Sequence, residues 1–306
     1  MSNLNIVSSK LMIAALVGPI VLILLNVSAV SPRDNRGQGN IAIGPNPISG
    51  SWIIVVPAGT DKARLQLEWQ QEKGASVHVL LMQLQGLSAT QVHSSGAPVN
   101  FQLVREAGTF TFTGSFRRGT GTGEWTFKGN LAFVDELRKH GYEQTTEAEL
   151  YALALSDVGT AYISELERAG YRKLTVSQLV SLYTNDVRAD YIISLGSAGY
   201  SGLPPNVLVA LRSNGITANE TSVFKQLISG VITSGQLIAL KSNGVTDGYI
   251  KSLLDAGYKQ LTARQLIALR ANGVTPDFIQ RLQDRGYKNL TVERILSLRN
   301  KLPMEF

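Results

Sequence analysis

The chain of 306 residues has no cysteine, which excludes disulfides, cysteine-based metal sites and thiol catalysis. Histidine is scarce: His78, His93 and His140 are the only three, with no HExxH and no metal-ligand spacing among them. His78 sits among strand-forming residues and reads as structural. Ser222 and Lys225 match S-x-x-K, but no S-D-N or K-T-G accompanies them, so the match is read as chance. Gly119, Gly121 and Gly123 fit neither a P-loop nor G-x-G-x-x-G; between Arg117-Arg118 and Trp125 they read as a hairpin turn. No dense Lys/Arg cluster with interleaved aromatics accompanies the net charge of +6, which argues against a nucleic-acid partner. These absences together describe a chain that is not an enzyme, with no cofactor and no metal.

What is present is a period. Leu150, Leu179, Leu208, Leu237, Leu266 and Ile295 stand 29 residues apart. The same interval links Gly141, Gly170, Gly199, Gly257 and Gly286. It also links Val158, Val187, Ile216, Val245 and Val274, and the aromatics Phe133, Tyr162, Tyr191, Tyr249 and Phe278. A fixed period of this length marks a stacked array whose units are too small to bury an apolar face alone. Such arrays usually bind rather than catalyse.

The clearest unit is LTARQLIALRANGVTPDFIQRLQDRGYKN, residues 261–289. Thr262 with Gln265 fits a capping box, as do Thr175 with Gln178 and Thr146 with Glu149. Leu266, Ile267, Leu269 and Arg270 make one short amphipathic helix, which Asn272-Gly273 ends because glycine accepts the left-handed conformation of a helix end. Thr275 caps a second helix with Pro276 at its first position; Phe278, Ile279 and Leu282 form its apolar face, and Gly286-Tyr287 closes it. Helices of about ten residues are marginal alone in water, so stacking supplies the missing stability. The expectation is an α-solenoid of six 29-residue two-helix repeats over residues 132–306. One unit departs: Glu220, Thr221, Ile228 and Ser229 replace the expected aromatic, Ile, Gly and Tyr, and predict an altered first helix with a local kink. Pro204-Pro205 marks another irregular spot.

Residues 11–25, LMIAALVGPIVLILL, form an apolar run behind Lys10, and Val27-Ser28-Ala29 is a small-residue cleavage pattern. Residues 1–29 therefore read as a secretory signal peptide or, alternatively, an uncleaved membrane anchor. Either places the rest outside the cytoplasm, periplasmic or on the outer face of the cytoplasmic membrane. Residues 30–47, rich in Pro, Gly and Asn, read as a flexible linker. From residue 48 to 131, period-two alternation (Leu65, Leu67, Trp69; Phe110, Phe112; Trp125, Phe127) predicts a small antiparallel β domain, sandwich or partly closed barrel. The fold class is thus α+β and multidomain.

Charge within the array is polarised. Residues 133–190 hold 6 basic and 10 acidic side chains, net −4; residues 249–306 hold 10 and 5, net +5. Oppositely charged ends favour head-to-tail self-association or steering of an acidic partner, unless the pattern is drift on a screened surface. Arg212, Lys241, Arg270 and Arg299 share one repeat position and form a basic column. They are either a binding surface or cations placed to meet helix C-terminal dipoles. Tyr142, Tyr171, Tyr200, Tyr258 and Tyr287 form a second column, which either grips a partner or packs between repeats with only the hydroxyl wet. Of these, Tyr171, Tyr200, Tyr258 and Tyr287 join the four cations as candidate partner-binding residues.

The phrases LTARQLIALRANGVTPDFIQRLQDRGYKNLT and AYISELERAGYRKLTVSQL resemble a helical repeat of exported or membrane-attached bacterial proteins. That repeat includes C-terminal extensions of proteins classed with the β-lactam-sensing membrane metallopeptidases. FQLVREAGTFTFTGSFRRGTGTGEWTF resembles the β segment that often precedes such repeats. The chain lacks a zinc motif and a set of membrane helices, so the peptidase activity does not carry over. The resemblance implies a bacterial envelope protein. The preferred expectation is an exported, non-enzymatic binding or scaffold protein with a protein partner, touching membrane only through its N-terminal segment. The alternatives are a membrane-anchored sensory or regulatory accessory and a carbohydrate-active β domain.

Overall fold

The computed structural model describes residues 48–69 and 73–301; residues 1–29, expected to be a signal peptide or anchor, and 30–47, expected to be a linker, lie outside the described residues. The protein is mixed α+β. Strands β1 (Ser49–Val55), β2 (Lys62–Trp69), β3 (Lys73–Leu80), β4 (Leu84–Gln85), β5 (Ser95–Arg105), β6 (Gly108–Arg117) and β7 (Thr120–Gly129) form one sheet. Its order is β3-β2-β1-β7-β6-β5-β4. A short helix, α1 (Ala89–Val92), precedes β5 and is capped by Ser88 with Gln91.

Alternation along the strands selects the buried face. Trp52 and Ile54 lie opposite Leu67 and Leu65 across the antiparallel β1–β2 pair, and all four are buried. The β6–β7 turn is made by Arg118 and Gly119, both at positive φ (49° and 86°), as a two-residue hairpin of this twist requires. The glycine run predicted as a turn therefore contributes only its first member there. Gly121 and Gly123 lie within β7, where an added Cβ at Gly121 would meet the Phe116 ring at 2.6 Å.

Two compact units result. The first comprises Ser49–Phe101 and Phe112–Trp125; the second joins Gln102–Thr111 to the chain from Thr126 onward. Trp52 centres the first unit, with Phe101, Phe112 and Phe116 around it at centroid distances of 5.4, 6.1 and 5.7 Å. In the second, the outer end of the β5–β6 hairpin is bound to residues that follow the sheet in the chain. Phe110 and Phe127 pack on Tyr151 at 5.5 and 5.6 Å, and Arg105 pairs with Asp157 at 3.2 Å.

Among the described residues, twelve helices follow the sheet. The first six are α2 (Leu131–Lys139), α3 (Glu147–Leu155), α4 (Thr160–Arg168), α5 (Val176–Thr184), α6 (Ala189–Ser197) and α7 (Pro205–Ser213). The others are α8 (Ala218–Leu227), α9 (Ser234–Ser242), α10 (Asp247–Asp255), α11 (Ala263–Ala271), α12 (Pro276–Asp284) and α13 (Val292–Lys301). Every start recurs one sequence period after the helix two places earlier: 131, 160, 189, 218, 247 and 276 in one series, 147 to 292 in the other. Alternate helices pack together, α3 on α5 and α5 on α7 through to α13, and α4 on α6 through to α12.

The sequence accounts for both ends of these helices. Capping boxes open α3, α5, α9 and α11, with Thr146, Thr175, Thr233 and Thr262 each accepting from the amide of the third helical residue. At the other end the chain turns left-handed. Gly273 (φ 67°) follows α11, and its amide donates to the Arg270 carbonyl while that of Val274 donates to Leu269. This pair of bonds is the Schellman closure, and the buried Val274 is its apolar seal. The periodic valines and glycines are therefore helix-ending residues as much as core.

The departing unit is altered where its residues differ. Helix α8 runs unbroken without the expected kink, but ends in an extended residue, Ile228 (φ −103°, ψ 134°). With no glycine at 228 to turn left-handed, the chain straightens. Ser229 donates its amide to the Leu261 carbonyl at 2.9 Å and forms a short parallel bridge to Thr262. Ile228 stays buried, while Val231 is 91% exposed.

Candidate functional site

The four column cations reach back into the preceding unit. The Arg270 and Arg299 Nε atoms each donate to a carbonyl 26 residues earlier, Gly244 and Gly273, at 3.2 Å. Their guanidinium groups lie 5.0 and 5.2 Å from the ring centres of Tyr249 and Phe278. Arg212 lies 4.9 Å from the Tyr191 ring and pairs with Asp186. The hydrogen bond from Arg212, with Arg188 nearby, holds the Asp186 carboxyl below the usual carboxylate range. The chain separation from aromatic to cation is the same in all three pairs, Tyr191 to Arg212, Tyr249 to Arg270 and Phe278 to Arg299.

At the fourth position the aromatic is replaced by Glu220, and Lys241 pairs with it at 2.7 Å. A cation–π contact in three units thus becomes an ion pair in the unit whose aromatic is missing. Because both partners are partly exposed, a Lys241→Ala and Glu220→Ala double-mutant cycle should yield a coupling of only about 0.2–1 kcal/mol in urea unfolding. The column therefore forms a seam between consecutive periods of the sequence, with partly exposed cations whose nitrogens reach groups in the period before.

The tyrosine column is a second seam. Tyr171 and Tyr200 donate their hydroxyls to the carbonyls of Leu203 and Ile232, at 2.6 and 2.5 Å, each just before the next unit's helix. Burial raises the hydroxyl pKa of Tyr171, Tyr200 and Tyr258, while Tyr287 is 45% exposed. Tyr142 is pushed up to about 12 by burial, reinforced by Glu167.

A third set is one that sequence reasoning does not single out as functional. Tyr162, Tyr191 and Tyr249 donate to the carbonyls of Val187, Ile216 and Val274 at 2.7, 3.0 and 2.9 Å, the residues that seal the next helix end. Their shared interval is visible in the sequence, but a hydroxyl partner is not encoded by periodicity alone. Burial pushes Tyr191 and Tyr249 up to about 12. In the unfolded chain these phenols ionise near 10, so the unfolded state releases protons first as pH rises. Their contribution is whole below pH 10 and is lost between about 10 and 12. Circular dichroism at rising pH should show helix loss in that window, reduced in Tyr191→Phe/Tyr249→Phe.

One unit also has an open cleft, lined by residues including Tyr171, Ile193 and Gly196. Ile193 and Gly196 carry no signal when the chain is read in order; aligning the units by their period exposes both as exceptions. Among the described residues, no group of three or more His, Asp or Glu is placed to hold a metal ion. No helix of the described residues is long and apolar enough to cross a membrane. No protein-family model matches this chain, and the search of curated proteins finds no match.

Proposed function

We propose that this chain is a non-enzymatic binding or scaffold protein of the bacterial cell envelope. In this reading its six two-helix units form an α-solenoid that presents an interaction surface to a protein partner. The observation that carries it is the register of the seams. Helices recur with the period of the sequence, alternate helices pack together, and cations and tyrosines of one unit bond to the unit before or after it. Such nearest-neighbour stacking uses the seam residues for cohesion and leaves the outward helix positions free to vary, which is how repeat arrays acquire partners.

The test is crosslinking mass spectrometry on the intact envelope with an amine-reactive reagent, using Lys251, Lys259 and Lys288 as reporters. The expected result is recurrent crosslinks from these lysines to one discrete second protein. Crosslinks confined to the chain itself, or scattered over abundant envelope proteins, would count against a dedicated partner.

A further inference from the structure

The repeat makes this chain its own reference: residues one period apart stand in equivalent surroundings, so an exception identifies what one unit does differently. At one helical position three units send a side chain back to the end of the preceding equivalent helix, while α10 carries Leu254 there. Glu167 meets His140 Nδ1 at 3.1 Å. Lys225 Nζ donates to the Ala198 carbonyl at 2.9 Å, and Gln283 Nε2 to the Ala256 carbonyl at 2.9 Å. Lys225 Nζ also lies 5.7 Å from the centre of the Tyr200 ring. In α6 that position is Gly196.

Nothing in the backbone demands glycine there. Gly196 is not in the left-handed region, and an added Cβ would meet only the rotatable Ser201 hydroxyl, at 3.2 Å. Glycine inside a helix is destabilising relative to alanine. Its effect here is a space: an open cleft of about 630 Å³ lined by Ala169, Tyr171, Ile192, Ile193 and Ser201.

The lining is a copy of an occupied site. Ala169 is the counterpart of Ala198 and Tyr171 of Tyr200, the carbonyl residue and the ring that hold the Lys225 ammonium one unit later. The wall is also changed. Ile193 is 56% exposed, at a position that carries Ser164, Ser222, Lys251 and Gln280 in other units. An apolar wall leading to a carbonyl and an aromatic face suits an aliphatic stem ending in an ammonium. Arg168, Arg172 and Lys173 flank Ala169 and Tyr171, so the net charge of −4 over residues 133–190 acts on the cleft only as a diffuse field, and the recognition rests on the carbonyl, the ring and the apolar wall.

We propose that the cleft at Gly196 receives a lysine side chain of a partner protein, with its ammonium placed as Lys225 places its own and its stem against Ile193. This rests on the reading of the array as a protein-interaction surface and names the chemistry it recognises.

The experiment is an NMR titration of the full chain, labelled at isoleucine methyl groups, with N-acetyl-lysine N-methylamide. Saturable shifts of Ile192 and Ile193 are expected, at least tenfold weaker with the norleucine analogue. Gly196→Lys should abolish them by filling the cleft from within, and should melt above Gly196→Ala, which controls for helix propensity. Absent shifts, equal response to norleucine, or wild-type binding by Gly196→Lys would overturn the proposal. Binding of pentylamine as tight as that of the lysine probe would assign the cleft to a free amine and overturn the protein source. If the lysine probe fails while the array still crosslinks to one partner, the cleft assignment falls and the scaffold reading stands; if both fail, so do both readings.

Discussion

Trp52→Ala should cost the sheet about 3–5 kcal/mol, the range for deleting a large buried aromatic side chain. Trp52 is 1% exposed, and three phenylalanine rings surround it. Its indole Nε1 also donates to two carbonyls, Thr113 at 3.1 Å and Glu124 at 3.0 Å, which tie β1 to the β6–β7 hairpin. Removing the ring opens a cavity and strips both carbonyls of a donor. A loss of that size is a large share of the roughly 5–15 kcal/mol that holds a typical domain. Urea unfolding followed by the fluorescence of the remaining tryptophans, Trp69 and Trp125, should show the midpoint falling sharply. A midpoint within error of wild type would mean that Trp52 is not the centre of this core.

Leu237→Ala should cost about 2–5 kcal/mol, with an effect that is local in sequence. Leu237 is fully buried in α9, directly after the unit whose helix α8 lacks a left-handed closure. Stacking energy in an array is shared between neighbours, so a break is felt most by the units on either side. Amide exchange should accelerate across α8 to α11, while α3 to α5 keep their protection. Uniform loss of protection from α2 to α13 would show a single cooperative block instead.

The periodic features of the fold are legible in the sequence because each is a local device repeated. Thr262 with Gln265 predicts a capping box, and the Thr side chain accepts the Gln265 amide in the structure. Gly273 and Gly286 predict helix ends and adopt positive φ. What periodicity does not give is the partner of a long side chain. By position, Arg270 is a cation meeting the dipole of its own helix; it reaches the carbonyl of Gly244, 26 residues back, which only stacking brings near. Glu220 reads as a lost aromatic, and the structure shows it compensated by Lys241 through charge. The sheet order is opaque for the same reason, since the pairing of β1 with β7 joins strands far apart in the chain. The grouping of Gln102–Thr111 with the helices follows from Tyr151 packing on Phe110 and Phe127, which no alternation pattern encodes.

If units one period apart are equivalent, removing one whole period should leave an array that still folds. Deleting residues 247–275 joins Thr246 to Pro276, so that one cap replaces its counterpart, Thr275. Leu290 then stands where Leu261 received Ser229, and Arg299 can reach the Gly244 carbonyl in place of Gly273. A control deletion of 247–261, about half a period, puts every later helix face out of register. The measurement is urea unfolding by circular dichroism for both. A cooperative transition is expected for the full-period deletion, with helix signal reduced by two helices, and none for the half-period control. Equal collapse of the two, or equal tolerance, would contradict the equivalence of the units.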